Sequence, residues 1–388
     1  MAADEVYIVD AIRTPLGKRN GALSTIHPVT MLSQILSELV IRNSIDHERI
    51  DDTIIGCVTQ TGEQGSNIAR NALLSAGFPE SVTGVTVDRQ CGSSLQAVEF
   101  GSYAVASGMM DLVIAGGVES MSRVPMGSNM SDESWPADSK IMKKYFLGNR
   151  SWFNQAMGAS MIAHEFSITR EEMDHLGFES HMRAAKNENN FQREIIPVYA
   201  EKGDSIIKIS RDEGIRKDTT LEKMSALKPA FQGIDLITAG NSSQISDGAS
   251  GVLLASEKAV EEHSLKPRAR IVSLSHAGVD PVTMLKGPIP VTEKLLNKSG
   301  LKLEDIDIFE INEAFSSVVL AWEKHFHVDH SKVNVSGGAI ALGHPLGATG
   351  TRIISTAINN LEMKSLNSCL IAICEGGGMA NGAIIERV

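Results

Sequence analysis

Apolar residues fall along this chain in two rhythms. Unbroken runs such as Val6-Tyr7-Ile8-Val9, Leu112-Val113-Ile114-Ala115 and Leu370-Ile371-Ala372-Ile373 lack polar alternation. They read as strands buried on both faces, the signature of a parallel sheet. Between them, residues 30–43 and 94–107 carry helical spacing. Strand and helix alternate, which predicts an α/β architecture. Glycine clusters border the strand runs at Gly116-Gly117, Gly337-Gly338 and Gly376-Gly377-Gly378.

The two ends share a plan. Near residue 90 a strand runs into a small-residue helix, and a second strand then meets a glycine pair. Near residue 335 the run Val333-Asn334-Val335 reads as a strand leading into a glycine-rich turn and helix; the next strand meets a glycine triplet. This predicts an internal duplication. Residues 121–245 differ, being rich in Met, Ser, Asn and mixed charge, with helices over about 155–190. They read as an insertion that carries loops.

Composition narrows the classes. At 388 residues the chain exceeds one typical core, so more than one domain is expected. The net charge of −11 argues against a nucleic-acid binder. No apolar run reaches the ~18 residues of a membrane span. The first strand-like run starts almost at residue 1, leaving no room for a leader, so a cytoplasmic enzyme is expected. The four cysteines, Cys57, Cys91, Cys369 and Cys374, form no CxxC pair and no disulfide framework.

Four motifs can carry chemistry. Cys91 in Asp88-Arg89-Gln90-Cys91-Gly92-Ser93-Ser94 follows a strand and opens a helix. A helix N-terminus favours the thiolate, the nucleophilic form, though a buried structural cysteine fits the same position. Gly92 and Ser93 leave its approach open. His344 lies among five glycines in the segment 337–350, where backbone can approach a ligand. It can accept a thiol proton or serve simply as a backbone-bonded histidine. Cys374 stands before Gly376-Gly377-Gly378, so a thiol needing only a modest shift can move protons beside N–H groups that bind an oxyanion. Asn312-Glu313-Ala314-Phe315 follows a strand. Asn312 can hold a water and Glu313 can orient a histidine, or Asn312 is a helix cap. His325, His327 and His330 lack a completing ligand set and read as a solvated helix end, so no metal site is expected.

Together and in this order, the four blocks resemble the signatures of the thiolase family over essentially the whole chain. The resemblance implies duplicated βαβαβαββ halves in a five-layer α/β/α/β/α core with an inserted loop domain. The halves would be residues 1–120 with 246–268, and 269–388; the loop domain would be 121–245. It implies acylation of Cys91, activation by His344, acid–base work by Cys374, and an oxyanion site at His344 and a water on Asn312. A second oxyanion site would form from the N–H groups of Cys91 and Gly376. Coenzyme A would be a co-substrate, with no permanently bound cofactor. It would lie against Met157, Arg216, Phe231, Ser243 and Ala314, with Met284 and Phe315 near the acyl group. A homodimer or homotetramer acting on acyl-CoA thioesters is implied, with no nucleic acid or membrane.

Glu375 departs from the small or apolar residue usual after this cysteine, and is expected to point away into a polar neighbourhood. Segments 17–21, 59–64 and 384–388 look closer to degradative thiolases, including those that shorten steroid side chains. A β-ketoacyl synthase would pair its cysteine with two histidines, and a sterol-carrier-type thiolase would place a histidine at Asn312. A non-catalytic acyl-CoA-binding subunit would not fill all four positions. A cysteine hydrolase would leave Cys374 without a role.

Overall fold

The computed structural model describes residues 4–130, 135–148, 151–202 and 205–388. The chain opens with β1 (Val6–Arg13), the short β2 (Gly17–Lys18), α1 (Pro28–Arg42), β3 (Asp52–Gly56), α2 (Ile68–Ser75), β4 (Thr83–Val87), α3 (Ser93–Ala106) and β5 (Leu112–Ser120). A loop-rich region follows, with α4 (Ser139–Phe146), α5 (Gln155–Glu165), α6 (Arg170–Asn187), β6 (Val198–Lys202), β7 (Ser205–Ile209), α7 (Leu221–Ser225), β8 (Pro229–Phe231) and β9 (Ile234–Thr238). The chain returns through β10 (Ser246–Ser256) and α8 (Glu257–Glu262). It closes with β11 (Ala269–Gly278), α9 (Pro288–Ser299), β12 (Ile308–Ile311), α10 (Ser316–Phe326), α11 (Ala339–Leu342), α12 (Thr349–Lys364), β13 (Ser368–Glu375) and β14 (Met379–Arg387).

The strand order is β12-β13-β14-β11-β1-β10-β5-β3-β4. It contains the same arrangement twice. In the first half β3 pairs parallel with β4 and β5, while β10 pairs antiparallel with β5 and β1. In the second half β12 pairs parallel with β13, and β14 pairs antiparallel with β13 and β11. The halves meet where Tyr7 and Ile8 pair with Arg270 and Ala269.

Strand alternation sorts apolar side chains into layers. Val9, Leu112 and Ile114 pack outward against Met31, Leu32 and Ile35 of α1 and Leu73 of α2. Ile8, Val113 and Ala115 pack inward with Leu95 and Val98 of α3, Ile354 and Ile358 of α12, and Ile371 and Ile373 from the second half. Leu370 and Ala372 face Leu295 of α9 and Trp322 of α10. The result is α/β/α/β/α. A helix clasped between the two halves of the sheet has no solvent face, which is why α12 is buried without a break from Thr349 to Leu361.

Two expectations needed correcting or refining. The run Val333-Asn334-Val335 is not a strand; it makes one bridge, Phe309 to Val333. Asn334 is left-handed, with φ 46°, and its side chain replaces the ladder. Its Oδ1 accepts from Ile311 N at 2.9 Å, and its Nδ2 donates to Ile311 O at 2.9 Å. The histidine cluster divides: His327 is the left-handed C-cap of α10, and His330 sits between Glu179 and Glu323.

Candidate active site

The Cys91 loop is built by local hydrogen bonds. Gln90 is left-handed, with φ 48°, and its N–H donates to Asp88 Oδ1 at 2.7 Å. Ser93 Oγ donates to Gln90 O at 2.6 Å and accepts from Arg89 N at 2.9 Å. Cys91 is thereby held one turn before α3, only 2 % exposed. The Gln155 side chain and the Gly376 N–H both hydrogen-bond its sulfur. Even so, burial first, and the Glu375 carboxyl wherever it is ionised, push the thiol up to about 12. Desolvation and a nearby carboxyl thus outweigh the partial charge of a helix end, which by itself would favour the thiolate.

The turn before α12 carries His344, 4 % exposed. The two helices start side by side: Thr351 N donates to Ser94 Oγ at 3.1 Å, and a Cβ on Gly350 would collide with Leu95. His344 and Cys91 thus occupy equivalent places in the two halves, each just ahead of a central helix. Thr349 Oγ1 donates to Pro345 O at 2.9 Å and lies 2.6 Å from His344 Nδ1. Its one proton is committed to the carbonyl, so it accepts from Nδ1–H. The lone pair of His344 is then on Nε2, which lies 3.4 Å from Asn312 Nδ2. Burial first and the Arg352 charge second push His344 down to about 3, so the ring is neutral.

Asn312 is 2 % exposed and is not a helix cap; Phe315 is the N-cap of α10. Asn312 Oδ1 has no partner among the described residues. Glu313 does not orient a histidine. It accepts from Ser180 Oγ at 2.7 Å, Asn334 Nδ2 at 3.0 Å and Ile340 N at 3.1 Å, tying α6 to the glycine segment.

Cys374 is fully buried at the end of β13. Burial, then Cys91 and the Glu375 carboxyl where they are ionised, hold its thiol well above the ordinary range. Its response to Cys91 places the two sulfurs in one electrostatic environment. Glu375 does not point away: it is 0 % exposed and reaches the back of the Cys91 loop, where a Cβ on Gly92 would overlap its Oε1. Gly92 is therefore required by what lies behind it as well as by open approach.

The residues expected to meet coenzyme A separate into two groups. Met284, Ala314 and Phe315 pack in one apolar cluster with Cys374 and Ala156. Ser243 N donates to Ala314 O at 2.9 Å. Met157 and Phe231 are exposed on the loop-rich region, and Arg216 lines a shallow cavity with Thr219, Lys223 and Met224. Two neighbours went unrecognised in the sequence, Gln155 and Thr349. Thr349 lies within the glycine segment that carries His344, and Gln155 lies two residues before Met157. No local spacing signals either contact.

Family comparison closes the question of kinship. The description "Thiolase, N-terminal domain" matches residues 6–258, and "Thiolase, C-terminal domain" matches residues 265–387. The chain belongs to the thiolase family. Among similar proteins is the steroid 3-ketoacyl-CoA thiolase FadA6 of Mycobacterium tuberculosis, 48% identical, with 99% of this chain and 94% of that one aligned. The 3-oxoadipyl-CoA/3-oxo-5,6-dehydrosuberyl-CoA thiolase of Escherichia coli is 40% identical, over 99% and 100% of the two chains. In solved structures, the Bacillus anthracis acetyl-CoA acetyltransferase superposes with a TM-score of 0.92 at 36% identity, covering 100% of both chains. This thiolase is thus an acyltransferase acting on acyl-CoA thioesters. Its reaction is thiolytic cleavage of 3-ketoacyl-CoA or the reverse condensation.

Proposed function

We propose that Cys91 carries the acyl group. The observation behind this is the pair of donors on its sulfur, the Gln155 amide and the Gly376 N–H, with Cys374 in the same electrostatic environment. In cleavage, His344 Nε2 takes the Cys91 proton and the sulfur attacks the 3-keto carbon. The C2–C3 bond breaks, and its electron pair passes to the acetyl-CoA enolate. Cys374 gives that carbon a proton, leaving an acyl-Cys91 thioester. The thiol of CoA then attacks the thioester, giving its proton to the Cys374 thiolate, and Cys91 leaves and takes back the proton held by His344.

Negative charge develops on two different oxygens, so two donor sets are needed. The protonated His344, with a water on Asn312, serves the enolate; the N–H groups of Cys91 and Gly376 serve the acyl carbonyl. A histidine that is neutral at rest is suited to accept the first proton.

Coenzyme A lies with its nucleotide toward Arg216 and Phe231 and its pantetheine past Met157, Ser243 and Ala314. Met284 and Phe315 form the apolar wall near the acyl group. Residues 1–120 with 246–268, 121–245 and 269–388 act as the two halves and the loop domain. The similarity to a steroid 3-ketoacyl-CoA thiolase supports a degradative role on a bulky acyl chain. The four cysteines are all free thiols, which favours a reducing compartment such as the cytoplasm. The edge strand β4, with Val85 exposed, offers a face for pairing two copies as a dimer or within a tetramer.

The test is CoA-dependent cleavage of acetoacetyl-CoA, 3-ketooctanoyl-CoA and a 3-keto steroid-side-chain CoA, with Cys91→Ala alongside. Loss of activity with loss of the acyl adduct on Cys91 supports the assignment, and the order of kcat/KM gives the substrate class. Activity surviving in Cys91→Ala refutes the assignment.

A further inference from the structure

Glu375 has no place in that chemistry, yet it lies behind the nucleophile loop. Both of its carboxyl oxygens lack a hydrogen-bond partner among the described residues, as does Asn381 Oδ1. These atoms converge. Glu375 Oε1 and Asn381 Oδ1 both lie within 2.5 Å of a single point, the position a Cβ on Gly92 would take. The orientation of the Asn381 amide is fixed independently. Its Nδ2 donates to Gly92 O at 2.9 Å, and a flipped amide would set two acceptors against each other there. Asn381 therefore presents its oxygen to Glu375. Two buried acceptors thus lie close to one point behind Gly92, and a proton on the carboxyl would turn their approach into a hydrogen bond.

We propose that Glu375 keeps its proton in the working enzyme and, as a neutral acid, hydrogen-bonds Asn381 to fix the loop that carries Cys91. Glu375 is then a positioning residue: carboxyl to Asn381 Oδ1, Asn381 Nδ2 to Gly92 O, and Gly92 to Cys91. The inference rests on the reading of Cys91 as nucleophile.

The surrounding charges agree. Asp88 and Arg89 face Glu375 from the β4–α3 loop, Glu99 from α3 and Cys374 from β13; Glu99 is itself bonded to His276 of β11. Burial, Glu99 and Asp88 favour the neutral form, and Arg89 alone opposes it. A proton on Glu375 also leaves room for a single negative charge in the site, the thiolate of Cys91.

The test compares Glu375→Gln and Glu375→Ala with the unmodified full chain, each checked for folding by thermal melt. The rate at which iodoacetamide alkylates Cys91, located by mass spectrometry, is measured against pH. The unmodified protein and Glu375→Gln should coincide at neutral pH. A Glu375→Gln protein faster at neutral pH would mean a carboxylate held by Arg89, and would overturn the proposal. Thiolysis supplies the positioning readout: Glu375→Ala should lower kcat on the order of 10- to 100-fold, with Gln recovering most of it. Equal losses in both variants would refute the positioning role. Failure of the nucleophile reading would appear separately, as activity retained by Cys91→Ala.

Discussion

The hydroxyl of Thr349 decides which nitrogen of His344 carries the proton. It donates to Pro345 O, so it must accept from Nδ1–H, and Nε2 is left with its lone pair facing Asn312. Thr349→Val removes the acceptor while keeping the volume. We expect kcat to fall by roughly 10²-fold with KM little changed, because a misplaced tautomer forfeits acid–base assistance. Thr349→Ser should keep most of the activity. Steady-state kinetics on one 3-ketoacyl-CoA check both.

His344 titrates at about 3 in the fold, against 6.5 for an ordinary histidine. Between these values the unfolded chain binds the additional proton, so stability must rise with pH across that window. The contribution is complete above about 6.5 and is lost as pH falls toward 3. By pH 5 about 2 kcal/mol of it has been lost. Denaturant unfolding of His344→Asn should show a shallower loss of stability from pH 7 to pH 5. Buried His181, pushed down to about 4, contributes in the same direction and remains in the variant as an internal reference.

Gln155 gives a hydrogen bond to the Cys91 sulfur, and that bond favours the thiolate. Gln155→Ala should slow alkylation of Cys91 at a given pH. It should also lower kcat about 10- to 100-fold, the usual worth of a hydrogen bond to a charged group. Stopped-flow measurement of acyl-enzyme formation separates this from any change in CoA binding.

Gly92→Ala places a methyl group where Glu375 Oε1 and Asn381 Oδ1 already converge. The overpacking should cost roughly 1–3 kcal/mol in stability and disturb the loop. Glu375→Ala added to Gly92→Ala should recover part of the lost stability, and a double-mutant cycle measured by thermal melts tests the coupling.

Much of the fold is legible in the sequence. The apolar runs become β1, β5 and β13, and the helical spacing over 94–107 becomes α3 at Ser93–Ala106. The duplicated order follows from two similar series of elements. What is not legible is direction and partnership. Glu375 ends a strand, where alternation sends it to the face opposite Cys374. In a sheet covered by helices on both sides that opposite face is also interior, so a carboxylate after a buried thiol has nowhere polar to go. Asn334 shows the converse: a β-like run loses its ladder because a side-chain amide can bond the neighbouring strand in its place. Hydrogen-bonding partners such as Gln155 come from distant elements, and no local spacing reports them.

The two-half architecture also sets an order in time. Cys91 belongs to the first half, while His344, Cys374 and Gly376 all come from the last quarter of the chain. During synthesis the thiol emerges early, ahead of every group assigned to activate it. The Asn381 that fastens its loop arrives later still, on β14. The assembled acyl-transfer site therefore exists only once that last strand docks, because an incomplete chain carries the thiol without the second-half groups assigned to work with it.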